Sequence, residues 1–260
     1  MPSLEVELDR ARALDVGTLA DAIESIGFEC TRCGGCCKAV ETGDGVEDHT
    51  ATVFPDEVAR LQTAGTPAET EGGDDASASE AAYDWRDVAR PMPYGLDGGT
   101  GETFEWALQT DDCGDCVFYE ETDGSGACTV HPDRPLICRT YPFSVGSLAA
   151  DGGANEASGA AADDQQPAGR TEPMGSVVDR EGVVRAHECE GLGRDISRTD
   201  AEELARTLKD RAVRELEEAI AVRDSYEPVD SEGTVVHDSE GQKRPDGMSL
   251  DGTGTTDTDR

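Results

Sequence analysis

Apolar residues fall at helical spacing over 16–26, where Val16, Leu19, Ile23 and Ile26 share one side and Gly27 breaks the run. This pattern predicts a helix, with Thr18 as a candidate cap. Thr50 to Phe54 reads as a short strand, and Pro55 suits the first turn of a brief helix through Asp56, Val58 and Leu61. Phe104, Trp106 and Leu108 alternate with polar or small residues, the period of a strand. Val117–Tyr119 and Ala127–Val130 flank Asp123-Gly124-Ser125-Gly126, and Val177-Val178 and Val183-Val184 flank Asp179-Arg180-Glu181-Gly182; both predict hairpins. Thr199-Asp200-Ala201-Glu202 has the form of a capping box. It opens a helix that carries Leu204, Leu208, Leu216 and Ile220 on one side and ends near Asp224, a stripe suited to core packing.

Between these periodic stretches, residues 66–82 and 147–172 are Gly, Ala, Ser, Thr, Gln and acid with almost nothing to bury, so they read as disordered insertions. The elements together predict an α+β fold: one small domain over 1–226 with short hairpins, an N-terminal helix and a C-terminal amphipathic helix. A disordered acidic tail is expected over 227–260.

Charge narrows the partners. The chain carries a formal net charge of -35, and its lysines are only Lys38, Lys209 and Lys243, so nucleic acid and anionic membranes are poor partners. Leu, Ile, Val and Phe make up about 17% of the residues, a fraction typical of disordered chains. The alternative is a protein adapted to high salt, where a Debye length of ~3 Å at 1 M screens self-repulsion. Acid spread over motif-bearing and filler segments alike favours a salt-loving cytoplasm. No apolar run approaches the roughly 18–20 residues of a membrane span, and the N-terminus has neither the basic nor the apolar region of a signal peptide, so a soluble cytoplasmic protein is expected.

The chemistry lies in the cysteines. Cys30, Cys33, Cys36 and Cys37 stand within eight residues, Cys113 and Cys116 form another Cys-x-x-Cys, Cys128 and Cys138 flank a short basic turn, and Cys189 follows His187-Glu188. Two neighbouring Cys-x-x-Cys steps are metal-ligand spacing, and the adjacent pair Cys36-Cys37 suits a cluster or two metals better than one tetrahedral ion. Disulfides fit poorly with an odd count of nine and a reducing compartment. With so few large apolar residues, the metal is expected to supply much of the cohesion. Structural zinc contributes about 10–16 kcal/mol in small peptides, comparable to the stability of a whole domain.

The run from Phe28 to Cys37, with Gly114-Asp115-Cys116-Val117-Phe118, the stretch from Cys128 through Arg134-Pro135-Leu136-Ile137-Cys138-Arg139 to Phe143, and Cys189-Glu190-Gly191, resembles the YkgJ-type cysteine-cluster family of zinc- or iron-chelating domains. The resemblance implies eight metal-binding cysteines: Cys30, Cys33, Cys36, Cys37, Cys116, Cys128, Cys138 and Cys189. Cys113 stands outside that pattern, and His131 occupies a position where tyrosine is usual. A surface thiol and a stacking imidazole are the simpler readings of these two, and His49 and His187 read as ordinary polar residues. Arg134 and Arg139 flank Cys138, where their charge would offset that of clustered thiolates. Pro135 and Pro142 stiffen the turn around Cys138.

Three functions fit these residues: a metal or cluster module without catalysis, an enzyme, and a zinc-stapled interaction domain. The enzyme reading rests on a flagellin lysine N-methylase among relatives of the resembled family, which implies S-adenosylmethionine. However, the chain has no Gly-rich strand-to-helix turn, no nucleophile and base pair and no His-Glu-x-x-His. Between metals, Cys-x-x-Cys-x-x-Cys leans towards iron or an iron-sulfur cluster, whereas the adjacent fourth cysteine departs from the ferredoxin run and keeps zinc open.

Overall fold

The computed structural model describes residues 3–42, 45–64, 83–146, 148 and 175–250. The insertions expected at 66–82 and 147–172 lie outside these residues, apart from Leu148. In chain order the elements are α1 (Leu4–Ala13), α2 (Val16–Ile26), β1 (Val40–Thr42), β2 (Gly45–Glu47), β3 (Thr52–Val53), α3 (Pro55–Ala64), α4 (Trp85–Val88), β4 (Ala89–Pro91), β5 (Gly101–Thr103), β6 (Trp106–Leu108), β7 (Tyr119–Thr122) and β8 (Ser125–Cys128). A 3-10 turn (His131–Asp133), α5 (Leu136–Thr140), β9 (Phe143–Val145), β10 (Val177–Glu181), β11 (Val184–His187), α6 (Arg198–Ser225), β12 (Thr234–Asp238) and β13 (Gly241–Lys243) complete the chain. The fold is α+β, and no helix among the described residues is long and apolar enough to cross a membrane. The chain divides into two compact units, Met1–Glu29 with Pro142–Ile220, and Cys30–Tyr141 with Ala221–Arg260.

In the first unit α2 has the predicted bounds, but its cap is Asp15, whose Oδ1 accepts the Thr18 N–H at 2.8 Å; Thr18 is the capped residue. Gly27 ends the helix with φ 77°, and a Cβ there would lie 2.5 Å from the Arg194 carbonyl oxygen, so only glycine fits. The apolar face of α2 buries Leu19 and Ile23 against Phe143, Val184, Ala186, Ala205 and Leu208. Each large side chain buried in this way contributes about 1.5–3 kcal/mol. A second cluster joins Leu8 and Ala11 of α1 to Ala212 and Leu216 of α6. The hairpin predicted around 179–182 forms as β10 and β11, and β9 pairs on the far side of β11. At the start of α6 the cap lies two residues before the expected box: Ser197 Oγ donates to the Asp200 carboxylate at 2.6 Å and accepts the Asp200 N–H at 3.2 Å.

The second unit contains the three-stranded sheet β3-β6-β4 and the sheet β13-β12-β5, in which β12 and β5 run parallel. Its core gathers Val53, Val58, Leu61, Val88, Trp106, Leu108, Phe118, Val130, Ile137 and Val236. Three expectations change here. Trp106, Ala107 and Leu108 are all buried, because β6 is the central strand and is covered on both faces, while Phe104 lies exposed before it. The hairpin near 123–126 pairs Tyr119 with Cys128 and Thr122 with Ser125, a tighter register than predicted. Its two-residue turn, Asp123 and Gly124, takes positive φ at both positions, as the right-handed twist of a hairpin requires.

The third change concerns the tail. Residues expected to be disordered from 227 onward include β12 and β13, and Val235 and Val236 are fully buried. Their partners are far away in sequence, with Val236 opposite Thr103, so a short apolar pair in an acidic stretch gave no local signal. Residues 251–260 lie outside the described residues.

Candidate metal centre

The first cysteine run has no regular secondary structure and is shaped by backbone turns. Arg32 and Gly34 take positive φ (58° and 77°), and the Cys37 N–H donates to the Gly34 carbonyl at 2.8 Å. This turn exposes Cys30, Cys33 and Cys36 and half-buries Cys37. From Cys37 the chain is tied directly to the second cysteine segment. The Cys116 N–H donates to the Cys37 carbonyl at 2.8 Å, and the Ala39 N–H donates to Asp115 Oδ1 at 2.7 Å.

Asp111 organises the second segment. Its Oδ1 accepts the N–H groups of Cys113 (2.8 Å) and Asp115 (3.0 Å), an Asx-type turn that leaves Cys113 exposed and turns Cys116 into the core. The hairpin then brings Cys128 into place as the cross-strand partner of Tyr119. Cys138 sits on α5, whose first N–H, that of Leu136, donates to the buried Glu57 Oε1 at 2.9 Å, while Glu57 Oε2 accepts the Phe54 N–H at 3.1 Å. Glu57 therefore caps α5 from 79 residues away. Burial pushes its carboxyl pKa up, against the pull of those two N–H groups and of Arg60.

The result is a convergence of thiols. Cys116 belongs to the apolar core, and Cys37, Cys128 and Cys138 pack against it. Cys36 and Cys37 have their sulfurs 3.7 Å apart. A hydrogen bond from Cys37 stabilises the Cys36 thiolate and brings its pKa down to about 7, with Arg134 adding to the effect, and the same bond together with burial raises Cys37. Burial pushes the Cys116 thiol up to about 12, with the charges of Cys128, Cys36 and Asp111 adding to it. Burial also raises Cys128 and Cys138, and Cys138 feels Cys116, Cys36 and Cys128 as well. Arg134 opposes the rise at Cys128 and Cys138 from its place beside the 3-10 turn, where its Nε donates to the His131 carbonyl at 3.1 Å. Arg139 is exposed.

Five of the eight expected ligands, Cys36, Cys37, Cys116, Cys128 and Cys138, thus lie within electrostatic reach of one another. Cys30 and Cys33 lie on the exposed part of the same loop. Cys189 belongs to the first unit, where its sulfur accepts the Gly191 N–H at 3.4 Å and the Gly191 carbonyl accepts the Glu29 N–H at 3.0 Å. Among the described residues no three Cys, His, Asp or Glu side chains already stand in metal-holding geometry. The donor chemistry nevertheless fits a soft cation: crowded thiols resist ionisation because their charges repel and are poorly solvated, and a bound cation removes both penalties. Asp111, Glu57 and Tyr119, whose Oη donates to Glu121, shape this site without sequence motifs of their own. Their partners are set by tertiary contacts.

No curated protein and no solved structure matches the chain. Residues 29–166, just over half of the chain, match the CxxCxxCC family, described as "Putative zinc- or iron-chelating domain". The chain belongs to this family of metal-chelating, cysteine-cluster domains.

Proposed function

We propose that the protein holds iron, as an iron-sulfur cluster, in a thiolate centre built by Cys30, Cys33, Cys36, Cys37, Cys116, Cys128 and Cys138. The observation that carries this reading is the convergence of five free thiols from the cysteine loop, the Cys116 segment, β8 and α5. One tetrahedral ion uses four ligands, so five converging thiols with two more on the same loop favour a polynuclear centre. The Cys30-x-x-Cys33-x-x-Cys36 spacing then tilts the choice towards a cluster. Cys189 is an eighth ligand by family resemblance alone, and the metal content of a Cys189→Ser chain tests it separately.

The role is metal binding in a salt-rich cytoplasm, with neither nucleic acid nor membrane as partner, as the charge of -35 supports. Anaerobic purification followed by metal analysis, a visible absorption spectrum and an assay for acid-labile sulfide tests the proposal. Brown protein with iron and sulfide in equal amounts supports a cluster. Colourless protein with two zinc ions per chain would replace iron with a binuclear zinc site, and protein that takes up neither metal would overturn the reading.

A further inference from the structure

One residue, Tyr119, ties together the segments that meet at the cysteine loop. The Tyr119 N–H donates to the Cys116 carbonyl at 2.9 Å, and Cys128 is the cross-strand partner of Tyr119. The ring lies directly on two glycines. A Cβ on Gly34, inside the cysteine loop, would be 2.2 Å from Tyr119 Oη, and one on Gly126, in β8, would be 2.7 Å from Tyr119 Cε2. The Gly126 N–H in turn donates to the Arg32 carbonyl at 2.9 Å, so the loop is bonded to the strand beside the ring that covers it. Tyr119 Oη donates to Glu121 Oε2 at 2.8 Å. Lys38, the residue after Cys37, pairs with the same oxygen, and its Nζ stands 5.3 Å from the ring centroid.

We propose that Tyr119 is a positioning residue, a latch that closes the cysteine loop onto the β7–β8 hairpin and thereby sets how slowly the centre releases its metal. This rests on the metal reading above. The ring covers the middle of the ligand turn at Gly34 and its exit at Lys38, so Cys30, Cys33 and Cys36 cannot swing away from Cys116 and Cys128 without uncovering it. The loop has no helix or strand of its own to hold it. Preorganised ligands lose less entropy on binding, and residues that orient ligands commonly alter affinity as strongly as some ligands do. The ion pair between Lys38 and Glu121 is exposed on both sides and contributes little, so the latch works through the ring and survives high salt.

The full chain, loaded anaerobically with zinc, would be mixed with a chromogenic chelator in molar salt, and the rate of zinc transfer recorded. A cobalt-loaded sample reports thiolate coordination through its sulfur-to-metal charge-transfer band. Tyr119→Ala should speed release by ~10–100-fold and weaken the band, whereas Tyr119→Phe, which keeps the ring, should restore both to near wild type. Wild-type release from folded Tyr119→Ala would overturn the latch. If Tyr119→Ala does not fold, Gly34→Ala drives a methyl group into the ring and should speed release; an unchanged rate there overturns the latch equally. A wild-type chain that takes up none of iron, zinc and cobalt through thiolates overturns the metal reading itself, a result distinct from a metal that stays bound at one rate in every variant.

Discussion

Trp106 Nε1 donates a 2.8 Å hydrogen bond to Asp238 Oδ2, joining the central strand β6 to β12 across 132 residues of chain. The same carboxylate oxygen lies 3.3 Å from Lys243 Nζ, which stands 5.0 Å from the ring centroid of Trp85. Asp238 and Lys243 are both buried. Removing the carboxylate would leave the buried indole N–H without its partner and the buried ammonium with Glu240 as its remaining ion pair, at a cost of about 2 kcal/mol. Asp238→Ala should therefore lower the urea midpoint followed by tryptophan fluorescence, and truncation after residue 226 should lower it further. An unchanged midpoint in the truncated chain would show that β12 adds nothing to the unit it pairs with.

His49 gives a second test, read through pH. Partial burial and the neighbouring Arg90 guanidinium push its pKa down to about 4 from 6.5, with Asp115 opposing. The folded protein keeps His49 neutral over a range where the unfolded chain protonates it. Stability from this group is therefore complete above pH 6.5 and falls as pH drops towards 4. Because the side chain is only partly buried, the loss should be about 2 kcal/mol. In His49→Gln the stability difference between pH 7 and pH 4.5 should shrink by that amount, with other carboxylates contributing equally to both proteins. Parallel pH profiles would show that the imidazole is solvated in the folded state.

Periodicity carried the helices well because their partners lie on one face: Leu19, Ile23 and Ile26 are buried where the stripe places them, as are Leu208 and Leu216. Caps were less legible. Asp15 and Ser197 each lie just outside the apolar run, where several polar residues compete for the role. The strand through Trp106 escaped the period-two pattern because both of its faces are covered, and β12 escaped because its partner β5 is more than a hundred residues away. At the cysteine cluster, spacing pointed to the candidate donors, a local signal. It could not reveal Glu57 on α5, Asp111 under the turn or Tyr119 on Gly34, since each acts through a contact made by the fold.

The two cysteines of the Cys113-x-x-Cys116 step should behave oppositely when replaced. Cys116 is 6% exposed and packs in the apolar core beside Cys37, Cys128 and Cys138, whereas Cys113 is exposed and contributes its backbone N–H to Asp111. Cys116→Ser removes a donor and places a hydroxyl in an apolar site, so metal content and thermal midpoint should both fall. Cys113→Ser keeps the backbone bond and should change stability by about 0.5 kcal/mol or less, with full metal content. Metal analysis of the two variants, purified in parallel under anaerobic conditions, checks both outcomes. Equal loss in both would make Cys113 a ligand.

Metal removal should act unequally on the two units. The first unit has its own apolar core, in which Leu19, Ile23, Phe143, Val184 and Leu208 pack without any thiol, so it meets its ordering cost by burial at about 1.5–3 kcal/mol per large side chain. The second unit includes Cys116 in its core, with Cys37, Cys128 and Cys138 packed against it, so on the proposed metal reading it loses cohesion when a cation shared by those thiols is removed. The chain's reporters separate the two. Its two tryptophans, Trp85 and Trp106, both lie in the second unit, while α1, α2 and most of α6 belong to the first. A strong chelator in molar salt should thus shift tryptophan emission to the red while most helical circular dichroism at 222 nm survives. Heating the metal-free chain should then melt the helical signal in a separate, later step. A single concerted loss of both signals would mean that the first unit does not fold without the second, and an emission spectrum unchanged in metal-free protein would mean that the thiols add nothing to cohesion.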